Sequence, residues 1–188
     1  MCDLGHSGRL IGVVGPSGVG KDSVMQALAA RHAGVRLVRR VITRDADAGG
    51  EEFEAVGEDV FAARVRAGAF VLHWRAHGLR YGVPVSVRED LAAGHLCLVN
   101  LSRSVLREAQ AMFPGFAVVH LTAPVEVLAD RLAARGRESA EVIAARLARA
   151  GFALPGGLGP VIRVENTGTV EAAAEAVWAQ LQPERVAR

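Results

Sequence analysis

The sequence predicts an α/β fold, with a central parallel sheet flanked by helices on both faces. Three observations predict it. Short aliphatic runs at residues 10–14, 96–101, 117–121 and 161–164 are separated by stretches of helical periodicity, and strands covered on both faces read as near-continuous apolar runs. The first run ends in Gly15-Pro16-Ser17-Gly18-Val19-Gly20-Lys21, and a helical stretch follows at once. Of the 22 Lys and Arg residues only Lys21 is a lysine, and it closes that glycine-rich segment. A compact ammonium fits inside a ring of backbone amides where a bulky planar guanidinium does not.

In chain order, residues 10–14 form the first buried strand, and 21–33 follow with Val24, Leu28 and Ala29 at helical spacing. Residues 35–43 alternate and are rich in β-branched side chains, which predicts one strand. Residues 45–50 read as a turn or loop, and 58–67 as a short helix with Val60, Phe61 and Val65 inward. Residues 69–74 and 80–83 read as an antiparallel pair joined through His77-Gly78. A helix over 85–93 stops at Gly94, and 96–101 is a buried strand. A helix over 104–112 is broken by Pro114-Gly115, and 117–121 is a strand. Pro124 opens a helix to Ala134, as proline does at a first helical position, and Gly136 ends it. Residues 139–149 form an arginine-rich helix, 154–160 a glycine-proline loop, 161–164 the last strand and Val170–Leu181 the last helix.

At 188 residues this is one domain with room for a small insert, and its core is aliphatic: hydrophobic residues make up 51% and aromatics 5%. A net charge of +2 is too weak for a nucleic-acid partner. Cys2 and Cys97 give neither a disulfide framework nor metal-ligand spacing, and Cys97 sits in an apolar run as a small hydrophobe. No signal-peptide stretch and no run of membrane-spanning length is present, so a soluble cytoplasmic protein is expected. The sequence sets no oligomeric state.

Strand, glycine loop and helix in succession form a nucleotide phosphate site. Residues 15–21 present backbone N–H groups to an anion at the positive end of a helix, and Lys21 reaches the outer phosphates as a point charge. Mg²⁺ normally takes a Ser or Thr hydroxyl at the next position; here Asp22 stands there, followed by Ser23. Two roles are open to Asp22: a hard oxygen ligand for Mg²⁺, or a carboxylate that complements the helix N-terminus. The strand at 96–101 offers the neutral pair Asn100 and Ser102 where many such enzymes carry an acidic residue.

Several further segments discriminate more finely: Thr43-Arg44, Gly49-Gly50-Glu51, Trp74 followed by His77-Gly78-Leu79-Arg80-Tyr81-Gly82, and the stretch Arg131-Leu132-Ala133-Ala134-Arg135-Gly136-Arg137. With these the chain resembles the guanylate-kinase-like group of phosphate-loop kinases over nearly its whole length. The resemblance implies a P-loop NTPase fold with a core at about 9–44, 84–134 and 153–188, an acceptor-binding insert at about 45–83 and an arginine-rich lid at about 135–152. It also implies ATP as phosphoryl donor with Mg²⁺, and Asn166 near the adenine.

The departures from guanylate kinases concern the base. The glutamate that reads guanine falls at His73, a base-reading serine at Arg40, a second phosphate-clamping arginine at Asp47, and the serine after Tyr-Gly at Val83. Arg44 and Tyr81 remain. A site that loses its base-reading polar groups loses its discrimination for the base. The subgroup resembled is the ribose 1,5-bisphosphate phosphokinases of phosphonate catabolism, with Lys21-Asp22-Ser23, residues 43–50 and residues 73–82 in agreement. It implies transfer of the ATP γ-phosphoryl group to a sugar phosphate, with 5-phosphoribosyl 1-diphosphate and ADP as products. A nucleoside monophosphate kinase and a non-catalytic interaction module are the alternatives.

A phosphate acceptor is already anionic, so the reaction needs cations rather than a base. Resemblance places Lys21, Arg135, Arg137 and Arg146 at the transferring group, and Arg44 and Tyr81 at the acceptor, with Arg40 and Arg80 beside them. Arg39 and Arg40 are neighbours on a strand and face opposite ways. The pattern does not choose between them; resemblance chooses Arg40. His73 is a candidate for a sugar hydroxyl. His73 and His77 have no third ligand at zinc spacing, and Trp74 and Trp178 read as packing residues.

Overall fold

The computed structural model describes residues 8–45, 52–134 and 153–182. Its elements are β1 (Arg9–Val14), α1 (Lys21–Arg31), β2 (Val35–Leu37), β3 (Arg40–Ile42), β4 (Phe53–Ala55), α2 (Glu58–Arg66), β5 (Phe70–Ala76) and β6 (Leu79–Pro84). They continue with α3 (Val87–Ala92), β7 (Leu96–Asn100), a 3-10 turn at Arg103–Val105, α4 (Leu106–Met112), β8 (Ala117–Thr122), α5 (Val125–Ala133) and β9 (Val161–Glu165). The last element is α6 (Val170–Leu181).

The aliphatic runs form the five-stranded sheet β2-β7-β1-β8-β9, parallel throughout. Alternate residues of each strand feed two cores. On one face Ile11, Val13, Leu98, Val119 and Leu121 pack against Val24 and Leu28 of α1 and Ala174 and Val177 of α6. On the other, Leu10, Val14, Cys97, Val99 and Val118 meet Leu106 and Ala109 of α4 and the apolar side of a second sheet. Cys97 is fully buried, and burial pushes its thiol up to about 11, so it packs as a neutral side chain.

The second sheet runs β4-β3-β6-β5, with β3 parallel to β4 and antiparallel to β6. Here the structure corrects two expectations. Residues 35–43 are two strands: the Val38 amide still donates to the Leu98 carbonyl at 2.9 Å, while Arg40 already pairs with Phe53. Alternation reports which face a side chain takes and not which sheet the backbone joins. The insert sheet therefore begins at Arg40, within the range assigned to the core from sequence. The three residues of β4 are too short to carry a pattern, and the helix at 104–112 opens with the 3-10 turn. The arginine-rich helix expected at 139–149 lies outside the described residues. Among the described residues no helix is long and apolar enough to cross a membrane.

On its far side the insert sheet carries α2. Phe61 is fully buried there, stacked on Phe70 with ring centroids 4.8 Å apart. A Cβ at Gly82 would lie 2.6 Å from the Phe70 ring, so only glycine lets this aromatic pair close on the strand.

Candidate active site

β1 lies between β7 and β8, so the main sheet reverses its strand order at β1. Open α/β sheets hold ligands outside the carboxyl ends of their strands at such a point. The loop after Val14 occupies it. Gly18 and Gly20 have φ of 83° and 89°, the left-handed region that glycine enters without strain. Gly20 is glycine for a second reason: a Cβ there would lie 2.8 Å from Nδ2 of Asn166. That Nδ2 donates to the Val19 carbonyl at 2.8 Å, and Arg131 of α5 donates to the Asn166 carbonyl at 2.9 Å. Asn166 is buried. The resemblance implies a place near adenine, and in the structure its side-chain amide braces the phosphate loop.

The Lys21 ammonium donates to the carbonyls of Gly15 at 2.9 Å and Pro16 at 3.1 Å, which holds it over the loop. Asp22 follows in the first turn of α1, and Asn100 Nδ2, at the end of β7, stands 3.5 Å from its Oδ1. Among the described residues no three His, Cys, Asp or Glu side chains cluster. The Asp22 carboxylate beside the phosphate loop fits a Mg²⁺ site of the nucleotide kind, in which one or two carboxylates and the phosphates share the ion with water.

A cavity of about 400 Å³ opens beside the loop. Its floor is Gly15, Pro16, Ser17 and Lys21, one wall is Arg40, Trp74 and Tyr81 of the insert sheet, and the other is Asn100 at the end of β7 with Ser102 and Arg103 beyond it. The insert wall is a stack. The Trp74 and Tyr81 rings lie 5.3 Å apart and 7° from parallel, and the Arg40 guanidinium sits 5.1 Å from the Tyr81 ring and 5.8 Å from the Trp74 ring. Arg40 is only 6% exposed, and the two aromatic rings stabilise its buried charge.

The hairpin register decides which of the other predicted residues join this wall. Trp74 pairs with Tyr81, His73 with Gly82 and Arg75 with Arg80. Side chains alternate along a strand, so His73 and Arg80 project to the α2 side while Trp74 and Tyr81 project to the cavity. Arg80 lies over the Phe61 ring at 4.6 Å and pairs with Glu58 at 3.6 Å. His73 is exposed, and Arg44 lies over the Phe53 ring at 5.5 Å. None of these three lines the cavity. His77 does, from the turn to Gly78, where its own φ is 53°. Ser23 is exposed on α1. Arg135, Arg137, Arg146 and Asp47 lie outside the described residues.

Sequence reasoning missed two cavity residues. Trp74 is a packing residue as expected, 8% exposed, but it is also part of the wall. Arg103 was not singled out, although its place just past the strand beside β1 was a usable signal.

A cationic cavity set against a glycine loop and a lone lysine defines a phosphate-loop phosphotransferase. Residues 11–149 match the AAA domain family. A guanylate kinase from Anaplasma phagocytophilum has the same fold, with a TM-score of 0.65 at 17% identity over 96% of this chain and 86% of that one. The chain is 52% identical to the ribose 1,5-bisphosphate phosphokinase PhnN of Ruegeria sp., over 95% of its own length and 94% of the relative's. It is 48% identical to the corresponding protein of Pseudomonas paraeruginosa, over 95% and 98%. It is also 48% identical to a bifunctional ribose 1,5-bisphosphokinase-thymidine phosphorylase of Cupriavidus necator, over 88% of this chain and 28% of that one. The chain belongs to the ribose 1,5-bisphosphate phosphokinase family.

Proposed function

We propose that this chain transfers the γ-phosphoryl group of ATP to the 1-phosphate of ribose 1,5-bisphosphate, giving 5-phosphoribosyl 1-diphosphate and ADP. The observation that carries the acceptor side is the charge of the cavity. Lys21, Arg40 and Arg103 line it, and among the described lining residues there is no carboxylate. Such a wall suits an acceptor that is anionic at both ends, and it has no acidic group to read a guanine edge.

The loop amides and Lys21 hold the donor phosphates, and Mg²⁺, when bound with them, neutralises charge on the nucleotide. Asp22 would supply its protein carboxylate, with Asn100 orienting that carboxylate. Arg40 takes an acceptor phosphate with a guanidinium already fixed by its ring stack, so little motional freedom is lost on binding. The Tyr81 hydroxyl is the companion donor. Arg135, Arg137 and Arg146 carry charge on the transferring group, a role that rests on the family resemblance. An ATP-dependent sugar-phosphate kinase is placed in the cytoplasm, where its donor is made.

Release of ADP with ribose 1,5-bisphosphate, GMP, AMP or no acceptor tests the function. Turnover with the bisphosphate alone is expected; turnover with GMP alone would make the chain a nucleotide kinase, and none at all an interaction module. Asp22→Asn is expected to raise the Mg²⁺ concentration for half-maximal rate about tenfold, the effect of weakening one of few hard ligands. An unchanged Mg²⁺ titration would remove Asp22 from the metal.

A further inference from the structure

A bisphosphate acceptor has two dianionic ends separated by a sugar, and one guanidinium cannot hold both. Lys21 is committed to the loop that binds the donor. Of the arginines expected at the acceptor, Arg80 is turned to Phe61 and Glu58, and Arg44 lies over Phe53. Among the described residues two arginines line the cavity, Arg40 from β3 of the insert sheet and Arg103 from the turn that follows β7 of the main sheet.

We infer that Arg103 is the second phosphate clamp of the acceptor site, so that the bisphosphate is held at one end by Arg40 and at the other by Arg103. The inference rests on the function proposed above and names a residue for it. Three observations support the placement. Arg103 lies three residues beyond Asn100, the β7 residue that reaches Asp22, so it stands on the wall nearest the donor loop. Its turn is pinned at the start by the Ser104 hydroxyl, which donates to the Ser102 oxygen at 3.1 Å. His120 on β8, in register with the cavity residue Val14, has its pKa lowered by burial first and then by the charges of Arg163 and Arg103. An acceptor gripped from both sheets is fixed in distance and direction relative to the loop, which in-line transfer between two anions demands.

Such a clamp is also a device for selectivity. A monophosphate engages one clamp and gains nothing from the other, so discrimination against it follows from the same contacts that hold the bisphosphate.

The test uses wild type, Arg103→Gln, Arg103→Lys and Arg40→Lys. It measures KM for ATP and for ribose 1,5-bisphosphate, and Ki for ribose 1-phosphate and ribose 5-phosphate as competitors of the bisphosphate. Arg103→Gln is expected to raise KM for the bisphosphate and Ki for one of the two monophosphates by about 10- to 100-fold, the range for a lost charged hydrogen bond. The other Ki and the ATP KM stay at wild-type values. Arg103→Lys recovers part of the loss, and Arg40→Lys weakens the opposite monophosphate. A general loss of folding would instead move all four constants or the melting temperature. The clamp is overturned if Arg103→Gln leaves every acceptor constant unchanged, raises the ATP KM as much as the acceptor KM, or weakens the same monophosphate as Arg40→Lys. Wild type that ignores the bisphosphate overturns the proposed function, and the clamp with it. Active wild type with an unaffected Arg103→Gln overturns the clamp alone.

Discussion

Lys21→Met is expected to lower kcat/KM for the phosphoryl transfer about a thousandfold while leaving the fold intact. Methionine keeps the length of the stem and removes the charge. A unit charge about 4 Å from a phosphate oxygen contributes about 4 kcal/mol at an effective dielectric constant near 20, and about 1.4 kcal/mol corresponds to each tenfold in rate. Lys21 is poised for this, with its ammonium hydrogen-bonded to the Gly15 and Pro16 carbonyls within the loop itself. The chain has no second lysine to take its place. Lys21→Arg should fail almost as badly, because the added guanidinium must fit a loop closed by Gly18 and Gly20. Coupled measurement of ADP release gives the rates, and circular dichroism verifies the fold. A rate for Lys21→Met within about tenfold of wild type would place the charge outside the transition state.

Phe61→Ala is the second large effect, and it acts on stability. Phe61 is fully buried between α2 and the insert sheet, stacked on Phe70 and covered by the Arg80 guanidinium. Truncation of a buried phenylalanine costs about 3–5 kcal/mol through lost transfer energy and the cavity left behind. For a domain of this size that corresponds to a fall in melting temperature of roughly 6–20 °C. The damage is local to the sheet that carries Arg40, Trp74 and Tyr81. KM for the acceptor should therefore rise in the surviving folded protein while KM for ATP stays near wild type. Scanning calorimetry and initial rates read the two effects. A melting temperature within about 2 °C of wild type would mean that α2 contributes little to the insert.

The parallel sheet was legible in the sequence because strands buried on both faces must be apolar along their whole length. The phosphate loop was legible because its chemistry needs contiguous residues, Gly15 to Lys21, in a fixed order. The acceptor wall was harder. Tyr81 and His73 were expected together, yet the two-residue turn at His77-Gly78 sets the pairing of Trp74 with Tyr81 and sends His73 to the other face. A shift of one residue in that register would have reversed the assignment. Arg40 could be separated from Arg39 only by resemblance, since alternation says that the two diverge and not which one turns inward. Arg103 enters the cavity from a strand end far along the chain, a proximity created by strand order and invisible to local pattern.

The hydrogen bond from Asn166 to Val19 spans 147 positions of the chain. Its donor stands immediately after β9, the fifth strand of the main sheet in chain order. A nascent chain still short of β9 already holds every glycine of the nucleotide loop and none of the side chain that steadies it. The residue that steadies the loop is thus made after β1, β2, β7 and β8, so the strands that support the loop precede its brace along the chain.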